Sequence, residues 1–209
     1  MEDVLEVYHR PYDAKRPLVC LDEASKQLIG EIAEPLPAEP GQPQRFDYEY
    51  ERGGVACLLV AFEPLTGKRL VETSAQRTKA DYCRFQQRVA QRWAEAEKIV
   101  LVQDNLNTHN ASSFYENLPA EEAFALAQRF EMHYTPKKGS WLNMAELELS
   151  AISRVCLDRR IKTIEELDGE VQAIVKERNE LEIKVEWQFS IAQARKKLSR
   201  HYENVKSKN

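Results

Sequence analysis

The chain alternates short apolar runs with polar segments, and the spacing of the apolar positions predicts both strands and helices. Three short runs have the length expected of strands: 16–24, 98–103 and 131–135. Residues 54–73 hold two more such runs around a turn at Pro64–Gly67, which predicts a β-hairpin. Residues 30–44 contain four prolines and two glycines and are predicted to form an exposed loop.

Apolar residues that recur every three or four positions predict the helices. Thr78 with Asp81, and Thr163 with Glu166, resemble the capping boxes that begin helices. The predicted helices follow these two pairs and also cover 118–130, 141–159 and 190–205. After Thr163, one helical face carries an apolar stripe that is interpreted as core rather than as a dimer seam: Ile164, Leu167, Val171, Ile174 and Leu181.

The order of these elements predicts the fold class. A strand and a hairpin come first, and strands then alternate with helices, which favours an α/β domain with a mixed β-sheet flanked by helices. The length of 209 residues suits one sizeable domain with a helical appendage. We expect a core over 1–160 and a helical C-terminal extension over 161–209 that packs on the core or follows it.

Composition narrows the cellular setting. The hydrophobic content of 43% is ordinary for a globular protein, and no apolar run is long enough to span a membrane. The acidic N-terminus lacks the apolar segment of a secretory signal. The four cysteines are far apart, so they are interpreted as free thiols rather than as a zinc site or a disulfide framework. We therefore expect a cytoplasmic protein.

The charge is unevenly distributed along the chain. The net charge of −4 argues mildly against non-specific nucleic-acid binding, which depends on Lys and Arg contacts with phosphate. From residue 185 to the end, however, the sequence contains six Lys or Arg residues and only two acids. This tail is interpreted as a solvated helix face, with a phosphate-contacting tail as the alternative.

Three acids stand where metal chemistry would require them. Asp22 is expected to end the first strand, Asp104 ends the strand at 98–103, and Glu146 is expected one turn into the helix that begins near Trp141. If the two strands are neighbours, their carboxylates converge, and a divalent cation would relieve their repulsion. Oxygen ligands suit Mg²⁺ or Mn²⁺, and two such ions can clamp a phosphoryl displacement.

Each acid also has an ordinary structural interpretation. A strand-end turn residue is an equal alternative for Asp22, and an Asx-turn residue is an equal alternative for Asp104. For Glu146 taken alone, a solvated helix residue is the favoured interpretation. Their neighbours Glu23 and Glu148 are expected to point away from such a site, because adjacent strand residues face opposite ways and residues two apart on a helix lie on different sides.

The segments around the acids are more specific than the acids alone. VCLDEASKQLIGE, VLVQDNLNTHNASSFYE and HYTPKKGSWLNMAELELSAI strongly resemble the catalytic domain of DDE transposases, with the bacterial insertion-sequence branch of the Tc/mariner superfamily as the nearest match. The resemblance runs from about residue 17 to about residue 200. It implies an RNase H-like fold in which Asp22, Asp104 and Glu146 are the catalytic, metal-binding residues.

The resemblance also implies an activity and partners. The activity is metal-dependent cleavage and strand transfer at transposon ends, with two Mg²⁺ (or Mn²⁺) ions. The partners are transposon DNA, target DNA with TA sites and a second copy of the chain in a homodimeric active complex. Association with the nucleoid is expected when the protein is on DNA. Two alternatives stay open. One is an RNase H-like nuclease that does not transpose, and the other is a catalytically silent, transposase-derived regulator that binds DNA or a partner.

Polar and aromatic residues beside the acids are candidates for DNA-binding or supporting roles: Asn105, Thr108, His109, Lys137, Lys138, Ser140, Trp141 and Asn143. Turn capping is an equal alternative for Asn105, Thr108 and His109. A solvated turn is an equal alternative for Lys137, Lys138 and Ser140. Trp141 is expected to pack rather than to stack on a base. His109 is not expected to bind the metal directly, because Mg²⁺ prefers oxygen.

One feature departs from the family pattern. Full-length relatives carry N-terminal helix-turn-helix units that recognise the transposon ends, whereas the first catalytic aspartate here is expected at position 22. We expect the chain to be an isolated piece, or one product of a split or truncated reading frame, that works with a separate N-terminal DNA-binding half.

Overall fold

Five strands form one mixed sheet in the computed structural model, which describes residues 1–33, 36–45, 48–137 and 139–199. The strands are β1 (Leu18–Glu31), β2 (Tyr50–Glu63), β3 (Lys68–Ser74), β4 (Ile99–Gln103) and β5 (Phe130–Tyr134). Their spatial order is β3-β2-β1-β4-β5. The β1–β2 and β2–β3 pairs are antiparallel, whereas β1–β4 and β4–β5 are parallel.

Helices cover both faces of this sheet. They are α1 (Glu2–Tyr8), α2 (Lys79–Arg92), α3 (Ser112–Tyr115), α4 (Ala120–Gln128), α5 (Ala145–Ile152), α6 (Ile164–Glu180) and α7 (Ile191–Lys197). A 3-10 turn at Ser140–Leu142 precedes α5, and a π-helical turn at Ser153–Leu157 follows it. This architecture confirms the predicted α/β class.

Alternation along the strands divides the core into two layers. Val19 and Leu21 of β1 and Leu101 of β4 face the layer that α2, α3 and α4 cover. Cys20 and Val102 face the opposite layer, where α1 and the start of α5 pack. On that second side, α6 and the end of α5 cover the apolar residues of β2 and β3. Each candidate catalytic residue on a strand therefore points into one of these two layers.

The hairpin prediction is confirmed, but the first strand is longer than predicted. Residues Pro64–Gly67 connect β2 to β3 as expected. Strand β1, predicted over 16–24, continues to Glu31 because its second half pairs antiparallel with β2. Two consequences follow: Asp22 lies inside a strand rather than at its end, and the predicted loop over 30–44 begins only after Glu31.

The helix caps are confirmed more fully than the helix lengths. Thr78 and Asp81 form a reciprocal capping box, whereas the Thr163 side chain accepts from the Glu166 N–H and the Glu166 carboxylate accepts from the Lys162 N–H instead. The prediction of one helix over 141–159 is wrong, because this segment forms the 3-10 turn, α5 and the π turn.

The apolar stripe is core at Leu167, Val171 and Ile174, but Leu181 is exposed. Helix α7 lies within the predicted 190–205, of which residues 200–205 fall outside the described part of the chain. In the described residues, no helix has both the length and the apolar character needed to cross a membrane. The division at residue 160 stays a prediction.

Candidate active site

The register of β1 and β4 places Asp22 and Asp104 at the same level. Cys20 pairs with Val102 in the parallel ladder, and each aspartate comes two residues later in its own chain segment. Because side chains alternate in a strand, Asp22 lies on the face of Cys20. Strand β4 ends at Gln103, so Asp104 is the first residue beyond it. The two carboxylates therefore stand together where the parallel strands separate.

Helix α5 brings Glu146 to the same face. Cys20 and Val102 pack against Leu142, Met144 and Ala145, which lead into and begin α5. Because α5 begins at Ala145, Glu146 is its second residue, and the prediction that it lies one turn into a helix beginning near Trp141 is wrong. The structure thus places all three predicted acids on one side of the sheet.

Asn143 fastens the start of α5 to β1. Its buried side-chain amide donates to the carbonyl oxygen of Leu21 at 2.7 Å, and its side-chain oxygen accepts from the N–H of Ala145 at 3.1 Å. Leu21 directly precedes Asp22, so one side chain links the strand that carries the first acid to the helix that carries the third. This contact assigns Asn143 a supporting position rather than a DNA-facing one.

The acids are close enough to influence one another. Burial raises the pKa of Asp22 to about 6, and the carboxylates of Glu146, Asp104 and Glu23 add to that effect, against the opposing hydrogen bond from the N–H of Glu23. Like charges at one site favour the protonated form of a carboxylic acid. A divalent cation bound among Asp22, Asp104 and Glu146 would reverse this preference.

The donor chemistry fits a hard divalent cation, but the side chains do not form a closed ligand set. In the described ranges, no group of three His, Cys, Asp or Glu side chains is arranged to hold a metal ion. Carboxylate oxygens from Asp22, Asp104 and Glu146 are nevertheless the ligand type that Mg²⁺ and Mn²⁺ prefer. Binding would therefore require these side chains to turn toward a common ion.

His109 holds Asp104 from the opposite layer. Its Nδ1 lies 2.5 Å from Asp104 Oδ1, and its Nε2 lies 3.6 Å from Glu23 Oε2, a distance that makes the second contact an ion pair rather than a hydrogen bond. Burial lowers the pKa of His109, but Asp104 and Glu23 outweigh it and raise the pKa to about 9. Arg77 lies 2.7 Å from the other oxygen of Glu23. A charged chain, Arg77–Glu23–His109–Asp104, thus fixes the second aspartate.

The sequence predicts that Glu23 points away from Asp22. That direction is right, but it leads to His109, which the sequence does not place there. A second missed support lies beneath the same loop, where the Tyr82 hydroxyl donates to Gln103 Oε1 at 2.9 Å and Gln103 Nε2 donates to the His109 carbonyl oxygen at 3.0 Å. Of these supporting residues, Gln103 gives a signal in the sequence, because it is a polar residue at the end of an apolar strand.

Three of the other candidates line a cavity beside Asp104. Its volume is about 400 Å³, and its lining includes Asn105, Lys137 and Ser140, all of them exposed. The Leu106 N–H lies 3.4 Å from Asp104 Oδ1, so the Asx-turn interpretation of Asp104 also has structural support. Of the three acids, Asp104 lines this cavity.

Three predicted residues have other surroundings. Trp141 is 47% exposed, and the edge of its ring contacts Phe189 with 5.8 Å between centroids, so it packs only in part. Thr108 contributes its backbone, since its carbonyl oxygen accepts from the Ser113 hydroxyl at 2.7 Å. Lys138 lies outside the described residues.

The fold matches solved transposase structures. The Mos1 transposase paired-end complex with the left transposon end shares 15% identity and a TM-score of 0.52, over 87% of this chain and 58% of that chain. The Mos1 mariner paired-end complex with Mn shares 16% identity and a TM-score of 0.50, over 86% of this chain and 57% of that chain. The Mos1 strand transfer complex shares 15% identity and a TM-score of 0.50, over 87% of this chain and 59% of that chain. The predicted RNase H-like fold is thereby confirmed. The chain spans well under two thirds of the Mos1 chain.

A search of curated proteins finds no match. The family described as DDE superfamily endonuclease, in contrast, matches residues 17–168, which is well over half of the chain. The matched range includes Asp22, Asp104 and Glu146, and the endonuclease family implies the use of a divalent metal. The chain therefore belongs to the DDE superfamily of endonucleases.

Proposed function

We propose that this chain is the catalytic domain of a DNA transposase, which cleaves phosphodiester bonds at transposon ends and transfers the freed strand to target DNA. The observation that carries this proposal is the common level of Asp22 and Asp104 on neighbouring parallel strands, with Glu146 in the first turn of the helix on the same face. Family membership and the fold shared with Mos1 transposase support it.

The proposed metal ligands are Asp22, Asp104 and Glu146, and the proposed ions are two Mg²⁺ or Mn²⁺. Bound in this way, the ions would supply a nucleophile at neutral pH and neutralise charge on the leaving oxygen. The protein's part is to hold three carboxylates that repel one another. His109 holds Asp104, and Asn143 ties the helix of Glu146 to the strand of Asp22.

The reaction is proposed to proceed by two attacks in one site. Water first attacks the phosphorus in line, which breaks the bond to the 3′-oxygen and leaves a 5′-phosphate and a free 3′-hydroxyl. That hydroxyl then attacks a phosphodiester of target DNA, and the target's own 3′-oxygen leaves as the new bond forms. Lys137 and Ser140, which line the 400 Å³ cavity with Asp104, are the proposed contacts of the DNA backbone. Trp141 offers its exposed ring surface to a base at the same edge.

The proposed partners follow from the same family. They are transposon ends, target DNA with TA insertion sites and a second copy of the chain in the active complex. One Mos1 transposase structure that the fold matches is a paired-end complex with the left transposon end, which supports DNA as the partner class.

The proposal is tested by cleavage of supercoiled plasmid and by joining of a pre-cleaved oligonucleotide, each with Mg²⁺, with Mn²⁺ or with EDTA. We expect metal-dependent activity that is lost in Asp104→Asn and in Glu146→Gln. Glu121→Gln, which alters an exposed acid on α4, is the matched control and should retain activity.

Each other result has a defined meaning. Activity that survives Asp104→Asn would overturn the assigned site. Cleavage without strand joining would favour the simple nuclease. A folded protein that binds DNA but neither cleaves nor joins it would favour the silent regulator.

A further inference from the structure

An ion network that involves Glu148 lies buried beside the proposed site. Glu148 is only 1% exposed, although it is two residues from Glu146 on α5. Its two carboxylate oxygens accept from Arg178 Nε at 2.8 Å and from Arg178 Nη2 at 2.9 Å. Arg69 Nε also lies 3.0 Å from Glu148 Oε1, and both of these side chains are fully buried.

The ends of this network are fixed to other elements. Arg178 belongs to α6 and Arg69 to β3. The Arg69 N–H donates to Asn179 Oδ1 at 2.8 Å, and Arg69 Nη2 donates to the Ile183 carbonyl oxygen at 2.6 Å. Glu148 therefore attaches α5 to a strand and a helix that do not carry any of the three acids.

In the first turn of α5 an acidic residue is buried while its apolar neighbour is exposed. Leu147 is 51% exposed, while the neighbouring acid Glu148 is buried. Ala145 and Ile152 are buried on the same helical face as Glu148, so the carboxylate lies among apolar neighbours, where a charge is costly unless it is paired. The ion pairs with Arg69 and Arg178 provide that pairing and hold this face of α5 against β3 and α6.

The rotation of α5 decides where Glu146 points. Successive residues on an α-helix are separated by about 100° around its axis. Glu146 and Glu148 therefore lie on different sides of α5, and a turn that buried Leu147 in place of Glu148 would swing Glu146 by about 100°. Asn143 restrains the beginning of the helix but does not by itself fix this angle.

We propose that Glu148 is a positioning residue, which fixes the rotation of α5 through Arg69 and Arg178 so that Glu146 faces Asp22 and Asp104. The inference rests on the proposed metal-binding role of those three acids. Glu148 itself touches neither substrate nor metal in this proposal.

The test measures Mn²⁺ affinity by calorimetry and thermal stability on the same samples of the full chain. Glu148→Gln keeps the shape of the side chain but removes its charge. Partners that orient metal ligands typically contribute about 10- to 100-fold to metal affinity, so we expect a loss of at least about tenfold. Arg178→Lys keeps the charge but not the bidentate contact with Glu148, and its loss of Mn²⁺ affinity should be smaller.

A matched control separates positioning from simple destabilisation. Val171→Ala removes buried volume from α6 without touching the network. We expect it to lower the melting temperature while Mn²⁺ affinity stays at the wild-type value. If Glu148→Gln does not fold, the comparison of Arg178→Lys with Val171→Ala decides the question.

The outcomes are distinguishable. Wild-type Mn²⁺ affinity in both network variants would overturn the positioning role, and so would an equal loss of affinity in Val171→Ala. If the wild type binds no Mn²⁺, or if Glu146→Gln binds it unchanged, the proposed metal site itself fails.

Discussion

Replacing His109 with glutamine should remove a pH-dependent part of the stability of the metal-free protein. The pKa of His109 is raised from 6.5 to about 9 by Asp104 and Glu23, against the opposing effect of burial. The folded state therefore binds this proton more tightly than the unfolded state. At about 1.36 kcal/mol per pKa unit, the shift corresponds to at most about 3 kcal/mol of unfolding free energy.

The sign of the effect fixes the pH window. Because the folded pKa lies above the unfolded value, the stabilisation is fully present below pH 6.5 and is lost as the pH rises through about 9. Urea unfolding with EDTA, at about pH 6 and about pH 9.5, should show a larger loss of stability for the wild type than for His109→Gln. Other titrating groups contribute to both proteins and largely cancel in the comparison.

A graded control is available in Glu23. Glu23→Gln removes one of the two carboxylates that raise the pKa of His109, so its loss of stability between the two pH values should lie between those of the wild type and His109→Gln. Equal pH dependence in the wild type and His109→Gln would refute the reasoning. So would an NMR titration in which the His109 ring has a midpoint below 6.5.

Three further outcomes follow from the structure. Because the pKa of Asp22 is raised to about 6, Mn²⁺ affinity measured by calorimetry should fall by up to about tenfold for each pH unit below that value, and constant affinity would contradict the site. Asn143→Ala leaves the Leu21 carbonyl oxygen without its side-chain partner and should cost about 1–3 kcal/mol in urea unfolding; an unchanged midpoint would contradict that contact. Leu101→Ala in the fully buried β4 should cost about 2–5 kcal/mol in the same assay, and a negligible loss would mean that β4 is not central to the core.

Elements whose signals are local were the most predictable from the sequence. The turn at Pro64–Gly67 and the capping box of Thr78 with Asp81 depend on residues within a few positions of one another. The extension of β1 beyond residue 24 depends instead on pairing with β2 across a long connection. Its residues form no apolar run, because most of them are only partly buried or exposed, so single-chain periodicity did not reveal it.

The same distinction applies to the candidate site. The location of Asp22, Asp104 and Glu146 on one side of the sheet could be predicted because each stands in a specific sequence segment next to a recognisable strand or helix. The contacts of Glu23 and Glu148 could not be predicted, since their partners lie far along the chain. Glu23 contacts His109, and Glu148 is held by Arg178. A charged residue that looks solvated by its local spacing becomes buried only when distant cations reach it.

The central claim is that Asp22, Asp104 and Glu146 form one metal site. Its most direct test is a calorimetric Mn²⁺ titration of the wild type, Asp104→Asn and Glu146→Gln near neutral pH. The proposed site predicts binding by the wild type and weaker binding by both variants, because each would lose one charged oxygen ligand of the proposed ions. Wild-type binding that is unchanged in both variants would contradict the claim.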